Sequence, residues 1–159
     1  MGKPVKQNMD TLNYILKKFN ISYDKKTPMP IEIPNIGRNG LPELFHELGF
    51  KVGAEIGVLE GEYSEILCKA NPGVKLYCID PWAPYEGYTD FVKKETFEKA
   101  YEKAETTLAQ YNCDFIKKFS MEALEDFEDE SLDFVYIDGN HTFQSCTNDI
   151  VEWSKKVKT

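Results

Sequence analysis

Hydrophobic residues near the start of the chain recur at every third or fourth position, a pattern typical of amphipathic helices. The first such segment covers residues 8–19. Residues 20–40 contain three prolines. Because proline fixes the backbone and removes a hydrogen-bond donor, we expect an extended linker there. A second helix is predicted over residues 41–48, and Gly49 is placed to end it.

From residue 51 onward, short apolar runs alternate with segments of helical periodicity. Short apolar runs that are rich in β-branched side chains indicate buried strands. The predicted strands cover residues 51–58, 74–79, 113–117 and 132–137, and the predicted helices cover residues 62–70, 88–111, 121–127 and 143–157. This order predicts an α/β fold with a Rossmann-like, doubly wound parallel sheet of about four strands. We therefore expect an N-terminal helix and linker over residues 1–40 and a Rossmann-like domain over residues 41–159.

Composition narrows the range of partners. The chain has 27 acidic and 19 basic residues, a formal net charge of -8. This charge repels phosphate backbones, so we do not expect a nucleic-acid partner. No apolar stretch could span a bilayer, and no N-terminal run resembles a signal peptide. The four cysteines form no Cys-x-x-Cys pair, which disfavours structural zinc and suits a reducing compartment. We expect a cytoplasmic protein with a small-molecule substrate.

The candidate site residues are those that directly follow the predicted strands. In an open parallel sheet, ligands bind beyond the carboxyl ends of the strands. These positions are occupied by Glu55–Gly61, Asp80–Trp82, Ser120–Met121 and Asp138–His141. We expect all four sets to face one crevice.

The turn after the first strand contains Gly57 and Gly61, and glycine permits tight backbone angles and close approach of a ligand. A dinucleotide site needs G-x-G-x-x-G, but Leu59 lies between the two glycines, so this fingerprint fails. Glu55 would oppose a pyrophosphate but suits a cofactor with a positive amino and sulfonium group. Ser64, in the following helix, could add a hydroxyl donor. These residues favour S-adenosylmethionine over NAD; the alternative is a purely structural turn.

The second and third strand ends carry polar and aromatic candidates. Asp80 could accept both hydroxyls of a ribose, or it could simply start a turn. Trp82 could stack on adenine or on the substrate, or be a partly buried aromatic residue. Ser120 and Met121 would suit the edge and face of adenine. The alternative for Ser120 is that it caps the next helix.

The fourth strand is followed by Asp138 and His141, three residues apart. Such a pair could share a divalent cation, or act as a base and the group that orients it. Histidine titrates near neutral pH, which suits proton removal from a hydroxyl group. The alternative is that Asp138 starts a turn and His141 caps the next helix.

Three ordered motifs carry a family resemblance. They are Gly53-Ala54-Glu55-Ile56-Gly57-Val58 with Gly61, then Ile79-Asp80-Pro81-Trp82, then Tyr136-Ile137-Asp138-Gly139-Asn140-His141. Over residues 36–158 the chain resembles class I S-adenosylmethionine-dependent methyltransferases, and in particular the methyltransferase-24 type, which includes sugar and small-molecule O-methyltransferases. The resemblance implies S-adenosylmethionine as methyl donor and a hydroxyl group of a small molecule or sugar as acceptor.

The resemblance also implies roles for individual residues. Glu55 is similar to the carboxylate near the methionine part of the cofactor, and Asp80 to the ribose ligand. Asp138 matches an acid that faces the cofactor or a metal, and His141 belongs to an Asp-Gly-x-His element and is our candidate base. The complete set of predicted cofactor-binding residues is Glu55, Gly57, Gly61, Ser64, Asp80, Trp82, Ser120, Met121 and Asp138.

Members of that family continue after the last helix with a glycine turn, a fifth strand and an acidic metal-site residue. The chain ends at Lys158-Thr159, where the turn would begin. We therefore expect an open hydrophobic sheet edge that a missing C-terminal partner or a second copy of the chain would cover. This leaves a second hypothesis, a non-catalytic Rossmann-like binding module or cofactor-binding fragment that pairs with another subunit. The residues Tyr85, Tyr88 and Phe91 are candidates for a substrate mouth.

Overall fold

The computed structural model describes residues 10–28, 31–33, 36–84 and 94–159. The backbone contacts divide the chain after Gly49 into two compact units.

The first unit contains two eight-residue helices, Thr11–Lys18 (α1) and Leu41–Leu48 (α2). The contacts group α2 with α1, and the domain boundary expected after residue 40 stays a prediction. Polar contacts join the two helices, because the Tyr14 hydroxyl donates to Glu47 at 2.8 Å and the Lys18 ammonium donates to the same carboxylate. A left-handed Gly49, with φ of 76°, ends α2 as predicted.

The second unit alternates strands and helices. Its described strands are Val52–Ile56 (β1), Lys75–Ile79 (β2), Cys113–Ile116 (β3) and Phe134–Ile137 (β4), and its helices are Glu62–Ala70 (α3), Lys94–Leu108 (α4), Ser120–Ala123 (α5) and Phe143–Trp153 (α6). The four strands are parallel and lie in the order β3-β2-β1-β4. The predicted Rossmann-like α/β fold is confirmed.

The two faces of the sheet differ in chemistry, because successive side chains of a strand point to opposite faces. One face forms the hydrophobic core against residues of α5 and α6, and its buried members are Ala54, Ile56, Ile79, Ala123, Phe127, Leu132 and Trp153. On the opposite face, Glu55 and Cys78 are register partners, and Ser64 of α3 contacts both. The α3 face is also packed with apolar side chains, such as Leu67 and Leu76, and it adds the buried polar pair of Glu55 and Ser64.

Several elements are shorter than predicted. The fourth strand begins at Phe134, because Leu132 forms backbone hydrogen bonds of 2.8 and 2.9 Å with Lys158 and Lys156 instead of continuing the ladder. The last α-helix ends at Trp153 and continues as one 3₁₀ turn. The helix predicted over residues 121–127 is α5 followed by a 3₁₀ turn.

The helix predicted over residues 88–111 is described from Lys94 and ends at Leu108. Its predicted first six residues lie outside the described residues, as do the candidate mouth residues Tyr85, Tyr88 and Phe91. No helix within the described ranges is long and apolar enough to cross a membrane.

Asp133 joins three segments of the second unit, and its replacement provides a first prediction. Its Oδ2 accepts the amides of Lys51 at 2.6 Å and Val52 at 2.9 Å, and its Oδ1 accepts the Lys158 ammonium at 2.8 Å. We expect Asp133→Asn to lower the free energy of unfolding by roughly 1–3 kcal/mol at pH 7, as measured by urea unfolding. The exposed Asp126→Asn is the matched control, with an expected change below about 1 kcal/mol.

The same replacement should show a defined pH dependence. Burial opposes ionisation of Asp133, but Lys158 and the two amides outweigh it, so the pKa of its carboxyl group lies below the usual 3.8. A lowered acid pKa stabilises the folded chain above the unfolded pKa, and this contribution is lost as the pH falls through the folded pKa. The difference between wild type and Asp133→Asn should thus be constant between about pH 5 and 7 and shrink below about pH 4. A difference that grows on acidification would contradict this account.

Candidate functional site

The strand order creates a topological switch point between β1 and β4. The chain proceeds from β1 to β2 and β3 on one side and then places β4 on the other side of β1. Crevices at such points, beyond the carboxyl ends of the strands, bind ligands in open α/β sheets. Gly57 packs against the backbone that follows β4, because a Cβ atom there would lie 2.3 Å from the Asp138 carbonyl oxygen and 2.7 Å from Gly139 Cα. Only glycine fits this contact.

The turn after β1 has an unusual backbone, with left-handed conformations at alternate residues. Gly57, Leu59 and Gly61 have φ of 88°, 51° and 78°. Leu59 thus adopts a conformation that favours glycine and costs a side-chain-bearing residue about 1–2 kcal/mol. Backbone strain of this kind is concentrated at functional sites. The structure therefore shows that Leu59, the middle residue of the turn, has a strained backbone. The sequence indicated only that this position is not a glycine.

Asp80, which directly follows β2, stabilises this turn through hydrogen bonds to its backbone amides. Its Oδ2 accepts the amides of Val58 and Leu59, both at 3.0 Å, and its Oδ1 accepts the Trp82 amide at 2.7 Å. Burial raises the pKa of the Asp80 carboxyl group above its usual value, although the three amides favour its ionised form. The first two strand ends are joined through this carboxylate.

Trp82 completes the connection between the two turns. Its indole Nε1 donates to the Leu59 carbonyl at 2.8 Å, and its own φ is 41°. The ring is 6% exposed and packs edge-on against Tyr101, with Phe115 nearby at centroid distances of 4.9 and 6.0 Å. The ring thus belongs to an aromatic cluster, and stacking on a ligand stays a prediction.

Glu55 and Ser64 meet beneath α3. The Ser64 hydroxyl donates to Glu55 Oε2, and the two residues are 0% and 1% exposed respectively. Cys78 Sγ lies 3.9 Å from Ser64 Oγ on the same face. The structure therefore brings two predicted cofactor residues together, in the interior behind the turn.

The third strand end leads into a buried polar network. Ser120 is the first residue of α5, and Phe119 is the N-cap, so Ser120 is not the cap. The Ser120 hydroxyl donates to Asp149 Oδ1 at 2.5 Å and accepts Trp153 Nε1 at 2.8 Å. Met121 packs against the hydrophobic core. An adenine contact by Ser120 or Met121 stays a prediction.

Asp149 is a site residue that sequence reasoning missed. It is 3% exposed, and its Oδ2 lies 4.0 Å from where a Cβ atom of Gly139 would be, directly behind the switch point. The available signal was an acidic residue on the apolar face of the last helix, three residues after Cys146 and four before Trp153. Such a position buries a charge, which is costly unless the group is hydrogen-bonded.

The buried Asp149 carboxylate predicts a pH-dependent stability difference. Burial raises the pKa of this carboxyl group, and the Ser120 hydrogen bond only partly opposes the shift. Because Asn keeps an oxygen for Ser120 and carries no charge, we expect Asp149→Asn to be at least as stable as wild type at pH 7, within about 1 kcal/mol.

The direction of this pH dependence of the stability difference follows from proton linkage. Between the usual 3.8 and the raised pKa, the folded chain binds more protons than the unfolded chain, so wild type gains stability as the pH falls. Any advantage of Asp149→Asn should therefore shrink on acidification. Urea unfolding at pH 7, 6 and 5 measures it, and an advantage that widens toward pH 5 is the contrary result.

The fourth strand end carries the Asp138–His141 pair. His141 Nε2 lies 3.4 Å from Asp138 Oδ1, and the His141 side chain is 76% exposed. Thr142 caps α6 through the Ser145 amide, so His141 does not cap the helix. The part of the chain that the structure describes contains no group of three His, Cys, Asp or Glu residues that could hold a metal ion. A divalent cation between Asp138 and His141 stays a prediction.

Comparison with protein families decides the class. The family described as Methyltransferase domain, of the methyltransferase-24 type, matches residues 54–159, which is more than half of the chain. The chain belongs to this family. The match includes all four strand ends of the candidate site, from Glu55 to His141. None of the curated proteins is similar enough to match the chain.

Solved structures show the same methyltransferase fold. One is a Staphylococcus aureus protein provisionally assigned as a caffeoyl-CoA O-methyltransferase (TM-score 0.57, 18% identity, 96% of this chain and 63% of that one). Another is an O-methyltransferase from Bacillus cereus in complex with S-adenosylhomocysteine (0.55, 20%, 98% and 64%). A third is the O-methyltransferase TomG from Streptomyces achromogenes in complex with S-adenosylmethionine (0.53, 16%, 96% and 62%). The chain spans less than two thirds of the length of each.

Proposed function

We propose that this methyltransferase-domain chain binds S-adenosylmethionine and methylates a hydroxyl group of a small molecule or sugar. The observation that carries the proposal is the Asp80 carboxylate, held by the amides of Val58 and Leu59 in a strained turn at the switch point. The fold neighbours with S-adenosylmethionine or S-adenosylhomocysteine bound support this choice of cofactor.

The donor set fits this cofactor better than a dinucleotide. The amides of Val58 and Leu59 would be the natural ligands of a pyrophosphate, but they bind Asp80 instead. A pyrophosphate would thus meet a carboxylate. That carboxylate accepts three hydrogen bonds and has about four acceptor positions, which leaves room for a ribose hydroxyl. Asp138, directly after β4, adds negative charge that is complementary to an amino and a sulfonium group. Glu55 is buried behind the turn, and its contact with the cofactor stays a prediction.

The chain's own residues would position the reactants and move one proton. When bound, S-adenosylmethionine supplies an electrophilic methyl group. His141 accepts the proton of the acceptor hydroxyl through its free ring nitrogen Nδ1, and Asp138, 3.4 Å from the other ring nitrogen Nε2, orients the imidazole. Because the His141 side chain faces solvent, an acceptor can reach it from outside. We place the protein in the cytoplasm, a reducing compartment that suits its four free cysteines.

Calorimetric titration tests the cofactor, and a turnover assay tests the reaction. We expect S-adenosylmethionine and S-adenosylhomocysteine to bind with Kd on the order of 10 μM, and NAD not to bind. S-adenosylhomocysteine should then accumulate when phenols or sugars are added as acceptors. A folded sample that binds neither sulfur cofactor would refute the proposal. Binding without turnover on any hydroxyl acceptor would refute the methyl transfer and favour the second candidate.

The second candidate is a binding module that pairs through the open edge of β4. Among the described strands, β4 pairs only with β1. An apolar groove runs beside it, lined by Val135, Ile137, Ile150 and Trp153. We propose a second copy of the chain as occupant, because two strand edges are self-complementary about a two-fold axis. Light scattering should then give twice the chain mass of 18.3 kDa, and a monomer at all concentrations would refute this candidate.

A further inference from the structure

Three of the four cysteines lie close together on the α3 face of the sheet, which also carries Ser64. They are Cys68 of α3, Cys78 of β2 and Cys113 of β3. The Sγ atoms of Cys68 and Cys113 are 3.6 Å apart, although 45 positions separate the residues in sequence. The sequence pattern indicated small core residues at Cys68 and Cys78, and only the packing of α3 on β3 creates the pair.

The two thiols of the pair differ in access and in charge. Cys113 is half-buried on β3, the edge strand of the described sheet, whereas Cys68 is 4% exposed. Thiol hydrogen bonds from Cys68 and Cys78, helped by the charge of Lys75, lower the pKa of Cys113. The same hydrogen bonds and burial raise the pKa of Cys68 and of Cys78. Cys113 is thus the more nucleophilic sulfur at neutral pH, and Cys68 keeps its proton.

We propose that Cys113 is an oxidation site that reacts with small peroxides and then forms a disulfide bond with Cys68. In the first step, the Cys113 thiolate attacks the O–O bond of hydrogen peroxide. An S–O bond forms, the O–O bond breaks, and the leaving hydroxide takes a proton to become water. The product is a sulfenic acid.

In the second step, Cys68 Sγ attacks the Cys113 sulfur. The S–S bond forms, the S–O bond breaks, and the leaving hydroxide becomes water with the Cys68 proton. Two thiols are oxidised by two electrons, and one peroxide is reduced to two waters. The sulfur atoms must approach from 3.6 Å to about 2.05 Å.

The neighbouring cysteines are less suited to the reaction. Cys78 is 0% exposed and lies against the Ser64 hydroxyl. Cys146 lies on α6, where its thiol faces the Asn140 carbonyl at 3.5 Å. Cys146 therefore serves as an internal control for non-specific oxidation.

Thiol counting and peptide mapping test the proposal on the full chain without any cofactor. After treatment with a few equivalents of hydrogen peroxide, the denatured protein should show two free thiols instead of four. Mass spectrometry of the unreduced digest should find Cys68 joined to Cys113, and dithiothreitol should restore all four thiols. Intact four-thiol protein, or a digest in which another pair predominates, would overturn the proposal.

Variants separate the proposed pair from the other cysteines. Cys146→Ser and Cys78→Ser should still lose two thiols each, whereas Cys113→Ser should lose none. If Cys113→Ser oxidises as wild type does, the site is wrong. Should a variant at the buried Cys78 fail to fold, the wild-type digest still decides which cysteines are joined.

Discussion

Gly57→Ala is expected to lower the free energy of unfolding by about 3 kcal/mol or more, because it combines two costs. The φ of Gly57 is 88°, a conformation that an L side chain rarely adopts. In addition, the new Cβ atom would lie 2.3 Å from the Asp138 carbonyl oxygen, far inside van der Waals contact with backbone that cannot rotate away. The turn would have to separate from the end of β4, and the crevice would lose its shape. Urea unfolding monitored by circular dichroism measures the loss.

Gly73→Ala separates the two costs. Gly73 has a similar φ of 82°, but no atom lies within 4 Å of its Cβ position. This control should cost about 1–2 kcal/mol from backbone conformation alone. If the two variants lose the same stability, the close approach of the turn to β4 is not the reason for glycine at position 57.

Asp80→Asn is expected to weaken binding of S-adenosylhomocysteine by roughly 30-fold or more and to destabilise the fold by about 2–4 kcal/mol. Both carboxylate oxygens accept backbone amides, Oδ2 from Val58 and Leu59 and Oδ1 from Trp82. Asn has one oxygen and one NH₂ group in place of the two carboxylate oxygens. In either orientation of the side chain, the NH₂ group would face a backbone amide that is itself a donor. The isosteric variant therefore cannot hold the turn.

The control for Asp80→Asn is the same substitution at Asp129. That residue is exposed and contacts the Lys156 ammonium at 2.7 Å, so its variant should keep the wild-type affinity and nearly the wild-type stability. Calorimetry gives the affinity and urea unfolding gives the stability. If Asp80→Asn folds and binds S-adenosylhomocysteine as tightly as wild type, the cofactor does not contact this carboxylate.

Local signals predicted the helices and the family. Pro42 in the first turn and Gly49 after the last bound α2 at the same residues in sequence and structure, and α3 was likewise predicted at Glu62–Ala70. Such signals act within a few residues along the chain, so they need no knowledge of the fold. The ordered motifs at the strand ends could also be recognised in the sequence, because each combines a short strand with the residue types that follow it.

The long-range contacts could not be predicted from the sequence, because they depend on which elements pack together. The sequence offered Asp80 as a ribose ligand or a turn residue, and only the pairing of β1 with β2 shows its carboxylate bound to the amides of Val58 and Leu59. The sequence analysis did not consider Asp149, and only the packing of α6 brings its carboxylate to the Ser120 hydroxyl.

By itself, the sequence determined the element types, the α/β class and the methyltransferase resemblance, since these depend on local periodicity and contiguous motifs. Tertiary structure decided the strand order, the strained left-handed Leu59 and the Cys68–Cys113 pair. The physical reason is the separation of the contacting residues along the chain. Hydrogen bonds and sulfur contacts between residues 20 or more positions apart form only where the packing of helices on the sheet fixes the distances.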